Sequence, residues 1–449
     1  MSTRRLRNSI PLRTLACALG ATLVATVGVN LSTARPAALG RPGITPLPCA
    51  NQAWQPIDPK FDALPGARAF FGSYEGGLYR IEIPEHWNGE LALYAHGYVP
   101  STGARGSELR VGNSPIREHL IGAGVAWAAS SYRCNGYVPG QGLVDTMALT
   151  TLFTKLNDGR KPQRTYLTGT SMGGHVTVLG MHEFPKEFAG GLAMCAAGPE
   201  LFDFFAAVGA AAEVVTGRTF SLDTMQDDLA KMSNMLGKPP DYTERGRQLA
   251  SVEIQISGGP RPFAAEGLVS RFLGNINGAA IAGGTTPSNR AVMTTQIKYA
   301  IDEGLGLTAD ALNARARRKP YDAAFRSARG PYEELVPFDG KLERPLLTMH
   351  GTGDLFVPIF LEQTLKRAVV ASGRQKLLAQ RVYRIPGHCN FSQPEMTTAF
   401  DDLVKWVHQG VKPEGDPVDG DLSDAGRRFT QPLRPDDPGG LRVAASPAP

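Results

Sequence analysis

Residues 166–175 have the sequence Tyr-Leu-Thr-Gly-Thr-Ser-Met-Gly-Gly-His, in which Ser171 lies two positions from Gly169 and two from Gly173. A short apolar run leads into this Gly-x-Ser-x-Gly pattern, and small or apolar residues follow it up to position 181. This order predicts a strand, a tight turn and a helix, with the serine hydroxyl exposed on the turn. Because glycine has no Cβ, Gly169 and Gly173 would let the helix and the strand approach closely. The chain has 51 glycines, so the pattern needs support from the other residues.

The first 34 residues predict an export signal. They contain four arginines and no acidic residue, followed by an apolar run over 15–29 and small residues around Ala34. We interpret residues 1–34 as a secretory signal peptide cleaved near Ala34, with an uncleaved anchor as the alternative. Removing the four arginines from a net charge of +5 leaves +1, so a nucleic-acid partner is not expected. No later apolar stretch is long enough to predict a membrane span.

Four cysteines follow the signal, at Cys49, Cys134, Cys195 and Cys389. An even number in an exported chain is compatible with two disulfides, whose pairing the sequence leaves open. The alternative for Cys195 is a buried thiol that packs like a small apolar residue. No Cys or His spacing typical of a metal site is present in the sequence, so we predict no metal.

Strand and helix patterns alternate along most of the chain, which is typical of an α/β fold with a parallel sheet covered on both faces. An irregular lead-in over 35–65 precedes this alternation, which spans 66–198, stops over 199–341 and resumes over 342–411. We interpret residues 199–341 as an inserted helical cap. Its expected helices cover 201–215, 224–236, 291–302 and 309–318. Residues 412–449 are rich in Pro, Gly and Asp and predict a disordered tail.

The three residue types needed for this kind of nucleophilic catalysis, a serine, an acid and a histidine, follow one another along the chain. A serine hydroxyl attacks well when an imidazole accepts its proton and a carboxylate orients that imidazole. Asp354 and His388 each lie on a loop that directly follows a predicted strand, and both come after Ser171. The order Ser171, Asp354, His388 therefore predicts a catalytic triad. Asp203 is an alternative acid, because it also follows a predicted strand.

The same chemistry needs hydrogen-bond donors for the negative charge that develops on the substrate oxygen. The backbone N–H of Met172, the residue after the nucleophile, is one predicted donor. The second is expected from the sequence His96-Gly97-Tyr98, which follows a predicted strand. We predict that the backbone N–H of Tyr98 is this second donor. The alternatives are that its phenol donates instead, or that the ring forms an aromatic wall of the pocket.

Taken together, these motifs resemble the α/β-hydrolase superfamily, including esterase-like members and prolyl-oligopeptidase-like catalytic domains. The matching stretches are His96-Gly97-Tyr98, 169–174, His350-Gly-x-Gly-Asp354-x-x-Val357-Pro358 and Gly387-His388. They fall within 66–198 and 342–411, outside the expected cap. The resemblance implies the α/β-hydrolase fold with an eight-stranded, mostly parallel sheet. It also implies a serine hydrolase that works through an acyl-enzyme and uses no cofactor.

The chain departs from two relatives within that superfamily. Tannase-like and feruloyl-esterase-like enzymes carry a cysteine before the nucleophile, paired with a cysteine after the catalytic histidine. Here Cys389 follows His388 but Thr170 precedes Ser171, so this disulfide is not expected. The sequence before the predicted domain also contains no propeller repeats, which argues against the usual domain architecture of an oligopeptidase.

The sequence therefore favours a secreted hydrolase of carboxylic esters, acting on a small-molecule or polymer substrate. An exported peptidase or amidase is an alternative, for which the acidic residues Asp223, Asp227 and Asp228 of the expected cap are a weak indication. An acyltransferase using the same triad is another alternative, and a non-catalytic binding protein that kept the fold is a third.

Overall fold

A central sheet of eight strands organises the computed structural model of this chain. The structure describes residues 44–49, 54–57, 60–101, 106–219, 224–282, 291–320 and 333–433. The predicted signal peptide lies outside the described residues. The strands are β1 (Ala67–Tyr74), β2 (Gly77–Pro84), β3 (Glu90–Ala95), β4 (Ala126–Ser130), β5 (Arg164–Thr170), β6 (Gly190–Met194), β7 (Leu346–Gly353) and β8 (Leu378–Pro386).

The strands lie in the order β8-β7-β6-β5-β3-β4-β2-β1. Strand β2 runs antiparallel to both β1 and β4, and the other neighbouring pairs run parallel. The carboxyl ends of β3, β5, β7 and β8 therefore meet at one edge, where the loops after parallel strands form binding sites. The predicted eight-stranded, mostly parallel sheet is confirmed.

Eleven helices of the described chain surround this sheet or lie in the connection between β6 and β7. They are α1 (Arg117–Gly122), α2 (Pro139–Leu156), α3 (Met172–Glu183), α4 (Leu201–Thr216), α5 (Met225–Leu236), α6 (Glu244–Ile256), α7 (Ala264–Val269), α8 (Phe272–Ala282), α9 (Ala309–Arg315), α10 (Phe360–Ala371) and α11 (Gln393–Gln409). None of the helices in the described ranges is both long enough and apolar enough to cross a bilayer.

Alternating side chains of each strand supply the two layers of core. In β3, Leu91 and Leu93 join the apolar cluster that contains residues of α2 and α3. Ala92 and Tyr94 join the cluster on the other face, with residues of α1 and α11. This alternation follows from the two-residue period of a strand, and it buries β3 on both faces. The sheet edge that carries the loops is thereby held between two helical layers.

Residues 195–345, which connect β6 to β7, form what we call the insertion. Its described part contains helices α4 to α9 and has an apolar cluster of its own, with Phe204, Leu249 and Phe272 at its centre. Leu355 and Val357, from the loop after β7, belong to the same cluster. The insertion thus packs directly on the loop that carries Asp354.

The prediction of a helix over 291–302 is wrong, and helices α6, α7 and α8 were not predicted. Residues 291–302 follow an irregular path, and several of their backbone N–H groups bond to distant side chains. The pairs are Met293 N–H with Asp203 (2.7 Å), Tyr299 N–H with Asn313 (3.0 Å) and Asp302 N–H with Ser251 (2.8 Å). Since buried backbone donors need partners, these side chains stabilise a non-helical segment that local propensity does not favour.

The prediction of a disordered tail over 412–449 is wrong for residues 412–433, while 434–449 lie outside the described residues. The tail covers β8, which is an edge strand of the sheet. The N–H of Val382 donates to Asp416 (2.9 Å), and the N–H of Arg384 donates to Thr430 (2.7 Å). Val418 is fully buried in a small apolar cluster beside β8. The tail is ordered because it satisfies the unpaired backbone groups of an exposed edge.

Two disulfides join Cys49 to Cys134 and Cys195 to Cys389. The alternative of a free, buried Cys195 thiol is therefore wrong. The first disulfide fixes part of the irregular lead-in, and the N–H of Leu47 adds a hydrogen bond to the buried Glu334 (2.6 Å). The second joins the end of β6 to the loop after β8.

Candidate active site

Ser171 lies on the turn between β5 and α3, with a backbone conformation of φ 59° and ψ −119°. A non-glycine residue with positive φ is held there by its surroundings. The N–H of Ser171 donates to the carbonyl of Met194 (3.0 Å), which fastens the turn to β6. At Gly173 a Cβ would lie 2.8 Å from the carbonyl oxygen of His96, so the helix approaches too closely for any other residue. The serine side chain is therefore presented at the sheet edge, as the sequence pattern predicts.

His388 and Asp354 lie beside Ser171, although Asp354 is 183 positions after Ser171 in the chain. His388 Nε2 is 2.7 Å from Ser171 Oγ, and His388 Nδ1 is 2.5 Å from Asp354 Oδ2. Because a carboxylate only accepts, Nδ1 carries the proton and Nε2 is free to accept from the serine hydroxyl. The structure thus brings the three residues into one hydrogen-bonded chain.

Asp354 is fully buried, and its second oxygen is satisfied by the backbone. Its Oδ1 accepts from the N–H of Phe356 (3.0 Å) and from the N–H of Val357 (2.9 Å). These two donors hold the carboxylate in position, so that Oδ2 faces His388. A buried carboxylate with both oxygens hydrogen-bonded is a stable orienting group for an imidazole.

The disulfide between Cys195 and Cys389 lies against the imidazole. The Sγ of Cys389 is 3.4 Å from His388 Nε2, and both cysteines have positive φ, 45° at Cys195 and 59° at Cys389. The pairing differs from the one seen in tannase-like enzymes, because Cys389 bonds to the residue after β6 and not to a residue before the serine. Both sulfurs are consumed by this bond, so the close approach of the two cysteines and His388 offers no thiolate to a metal.

The loop after β3 lies next to the serine. A Cβ added at Gly97 would be 3.2 Å from Ser171 Cβ and 3.8 Å from Ser171 Oγ. His96 stacks on Tyr132 with ring centroids 4.0 Å apart, and its Nδ1 is 2.6 Å from the carbonyl oxygen of Gly97. Burial lowers the pKa of His96, which keeps the ring neutral and lets Nδ1–H donate. The loop that carries Tyr98 is thus fixed beside the nucleophile.

The two predicted oxyanion donors lie on the elements expected for them. Met172 is the first residue of α3, where backbone N–H groups have no partner inside the helix. Tyr98 follows Gly97, and the residue is 47% exposed. Donation by either N–H to a substrate stays a prediction.

Asp203 and two buried histidines near the site make contacts inside the protein. Asp203, the alternative acid, is fully buried and accepts from Gln296 Nε2 (3.1 Å) as well as from the backbone of the insertion. His175 Nδ1 is 2.7 Å from the Tyr137 hydroxyl, and burial lowers the pKa of His175 to about 3. His350 Nε2 is 2.8 Å from the carbonyl oxygen of Val357 and so supports the loop of Asp354.

Sequence reasoning missed Arg261, which lies between α6 and α7 and is 1% exposed. Its Nε donates to the carbonyl of Thr352 (2.7 Å), and its Nη1 donates to the carbonyl of Gly259 (2.7 Å). Burial lowers the pKa of Arg261 to about 10, and the negative charge of Asp354 opposes that shift. Arg261 is therefore a buried cation near Asp354 at neutral pH. No local pattern indicates this role, because one arginine after Gly258-Gly259-Pro260 is indistinguishable from a loop residue.

Neither a scan against protein-family models nor a search of curated proteins gives a match to this chain. Solved structures give matches of low identity. An esterase of Pyrococcus furiosus has a TM-score of 0.39 at 13% identity, over 79% of this chain and 98% of its own. Feruloyl esterase B of Aspergillus oryzae has a TM-score of 0.42 at 14% identity, over 81% and 86%. An acylaminoacyl peptidase of Pyrococcus horikoshii has a TM-score of 0.38 at 13% identity, over 78% and 43%. The three structures to which the chain is similar are thus two esterases and one peptidase.

Proposed function

We propose that this protein is a serine hydrolase that cleaves carboxylic esters through an acyl-enzyme, with Ser171, His388 and Asp354 as its catalytic triad. The observation that carries the proposal is the chain of two hydrogen bonds, 2.7 Å from Ser171 Oγ to His388 Nε2 and 2.5 Å from His388 Nδ1 to Asp354 Oδ2. Both distances are in the range of a base that removes a proton from a nucleophile.

In the first half-reaction, Ser171 Oγ attacks the ester carbonyl carbon while its proton passes to His388 Nε2. Asp354 stabilises the resulting imidazolium without taking its proton. Collapse of the tetrahedral intermediate breaks the bond to the alcohol oxygen, which receives the proton from Nε2. In the second half-reaction, water attacks the acyl-enzyme by the same route, and Ser171 regains its proton.

The negative charge on the tetrahedral oxygen would be stabilised by the N–H groups of Tyr98 and Met172. The proximity of Gly97 to Ser171 supports this assignment, because it puts the loop next to the attacking atom. Met172 adds the positive end of the α3 dipole to its N–H. Such donors typically contribute a factor of roughly 10² to 10³ each in kcat.

The insertion would act as the cap over this site and form the pocket for the acyl or alcohol group. Its own apolar cluster and its packing on Leu355 and Val357 support that role. Of the three acidic residues that weakly indicated a peptidase, Asp223 lies outside the described residues. The other two fit a helix start better, since Asp228 accepts from the Thr224 hydroxyl (2.5 Å) and Asp227 is exposed in the first turn of α5.

The test is hydrolysis of a p-nitrophenyl ester series by the purified protein and by Ser171→Ala. The variant should lose at least about a thousandfold in kcat, because the residual rate comes from binding and the oxyanion donors alone. Its thermal melting curve should not change, since the serine hydroxyl bonds only to His388 among the described residues. Ester hydrolysis that survives in Ser171→Ala would refute the proposal.

The same triad could cleave amides or transfer the acyl group to an alcohol. Parallel assays with an aminoacyl anilide and with ester plus excess glycerol distinguish these reactions from ester hydrolysis. An organophosphonate that labels Ser171 without any ester turnover would point to an amide substrate. Failure to label Ser171 at all would favour the binding-protein alternative.

We further propose that the protein works outside the cytoplasm. The motivation is the export-type segment 1–34 together with two disulfides, a bond type that persists in oxidising compartments. Mass determination of the protein purified from culture medium checks this. A protein found only inside cells, with residues 1–34 attached, would contradict it.

A further inference from the structure

Arg271 lies between α7 and α8, and its guanidinium has no ion-pair or hydrogen-bond partner among the described residues. Its charge lies over the ring of Phe356, with Cζ 4.1 Å from the ring centroid. The ring of Phe356 in turn meets the imidazole of His388 edge to face, with centroids 5.3 Å apart. One aromatic ring therefore separates an unpaired cation from the catalytic imidazole. Both Arg271 and Phe356 are partly exposed.

The position of Arg271 is fixed by three contacts between the insertion and the loop of Asp354. Before it in the chain, Arg261 donates to the carbonyl of Thr352 (2.7 Å). At Gly267 a Cβ would lie 2.7 Å from the carbonyl carbon of Gly353, so α7 lies directly on the backbone there. After it in the chain, Asn275 Nδ2 donates to the carbonyl of Leu355 (3.1 Å).

The backbone of Arg271 also belongs to this rigid arrangement. Its N–H donates to the carbonyl of Leu268 (2.9 Å), and its carbonyl accepts from the N–H of Asn275 (2.8 Å). An arginine on a free surface loop loses side-chain entropy when it binds a ligand, whereas one held over a ring is partly ordered beforehand. The five donors of a guanidinium match a carboxylate in a planar, two-point arrangement.

We propose that Arg271 binds a carboxylate on the substrate, so that the preferred substrates are esters that also carry a free carboxylate. This inference rests on the proposed ester hydrolysis and names its substrate class. The guanidinium edge bonds the carboxylate while its face stays on Phe356, and the scissile carbonyl reaches Ser171 past that ring. No covalent step is added to the mechanism.

Two matched ester pairs test the inference on the acyl side and on the alcohol side. Monoethyl adipate and ethyl hexanoate differ only in a terminal carboxylate on the acyl chain, and 4-acetoxybutanoate and butyl acetate differ in the same way on the alcohol. For each pair we divide kcat/KM of the charged ester by kcat/KM of the neutral ester. In Arg271→Met this ratio should fall at least about tenfold for one of the two pairs, because a hydrogen bond to a charged group is lost. The loss should appear mainly in KM.

Methionine keeps the apolar stem on Phe356 but removes the charge, and Arg271→Lys keeps the charge without the planar fork. The lysine variant should recover part of the ratio, which a purely structural role would not predict. Arg160→Met is the matched control, since Arg160 also lies over a ring, that of Trp87, at 5.9 Å. Its ratio should equal that of the unmodified protein. An equal loss on charged and neutral esters in Arg271→Met overturns the inference.

Binding of the same esters to Ser171→Ala protein separates this inference from the proposed function. Calorimetry should give monoethyl adipate or 4-acetoxybutanoate an affinity at least about tenfold above its neutral partner, and Arg271→Met should abolish that preference. If no ester is hydrolysed by the unmodified protein, the proposed function fails and the binding result still decides the role of Arg271. Equal affinities for all four esters refute that role.

Discussion

Breaking the disulfide between Cys195 and Cys389 should impair catalysis beyond its effect on stability. The perturbation is the double substitution Cys195→Ala/Cys389→Ala. The other disulfide supplies a matched control, Cys49→Ala/Cys134→Ala, because it also closes a long loop. Neither Cys49 nor Cys134 hydrogen-bonds to Ser171 or His388 among the described residues.

The two bridges should stabilise the fold by similar amounts. They join residues separated by 194 and 85 positions. In the chain-entropy treatment each bridge contributes about 5 kcal/mol, and the logarithmic dependence on loop length makes the two differ by less than about 1 kcal/mol. Both double variants should therefore lose comparable free energy of unfolding, and any difference in activity has a local origin.

The local origin is the backbone next to His388. Cys389 has φ 59° and Cys195 has φ 45°, and the left-handed region costs a non-glycine residue roughly 1–2 kcal/mol. Without the bridge, residue 389 is free to relax out of that region and to carry the imidazole with it. A misplacement of about 1 Å at a catalytic group costs on the order of a hundredfold in rate. We expect kcat/KM to fall about tenfold to a hundredfold in the first variant and less than about threefold in the control.

The assay is hydrolysis of p-nitrophenyl butyrate well below the melting temperature of both variants, with unfolding in urea measured beside it. The loss should appear in kcat, because the hydrogen bond from Ser171 to His388 is made by the enzyme and not by the substrate. Equal activity losses in the two double variants would refute the reasoning, and so would a Cys195→Ala/Cys389→Ala protein whose kcat/KM equals that of the unmodified protein.

Two further predictions concern buried ionisable side chains of the insertion near the loop of Asp354. Arg261→Met should lower the free energy of unfolding by about 2–4 kcal/mol, because it leaves buried carbonyls such as that of Thr352 without a donor. Urea unfolding measures this change. A variant as stable as the unmodified protein would contradict the prediction. Burial raises the pKa of Glu253 well above 4.5, so the folded protein keeps this carboxyl neutral while the unfolded chain ionises it above pH 4.5. The stability that the neutral carboxyl contributes is therefore lost as pH rises above 4.5. Glu253→Gln should gain stability relative to the unmodified protein between pH 5 and pH 7, measured by urea unfolding at both values. A difference in stability that is constant with pH would count against this.

The elements near Ser171 could be predicted because their signals are local. The strand β5, the turn at Ser171 and the start of helix α3 are predicted from ten consecutive residues. Gly169 and Gly173 indicate directly that the helix and the strand approach each other closely. The loops of Asp354 and His388 were also identifiable, since each directly follows an apolar strand. What brings the three side chains together is the parallel sheet, in which the carboxyl ends of β5, β7 and β8 share one edge.

The insertion could not be predicted in the same way, because its irregular parts depend on partners far away in the chain. The path of 291–302 is fixed by Asp203, Ser251 and Asn313, which lie on α4, α6 and α9. The tail over 412–433 fails as a prediction for a similar reason. Its composition is that of a disordered segment, but the open edge of β8 offers it backbone partners that composition does not reveal.

The contacts of Arg261 and Arg271 give the insertion a role besides the proposed one as a cap. A charged group can be buried next to a carboxylate only when other elements supply the hydrogen bonds that replace water. The carbonyls of Thr352 and Gly259 do so for Arg261, and the contact of Gly267 with Gly353 sets the distance at which Arg271 meets Phe356. Because the same segment contacts the loop of Asp354 and carries Arg271, a displacement of its backbone should alter substrate preference and also shift Asp354. Specificity and catalytic rate are therefore expected to vary together when the backbone of residues 261–275 is displaced, whereas Arg271→Met removes only the guanidinium and should change specificity alone.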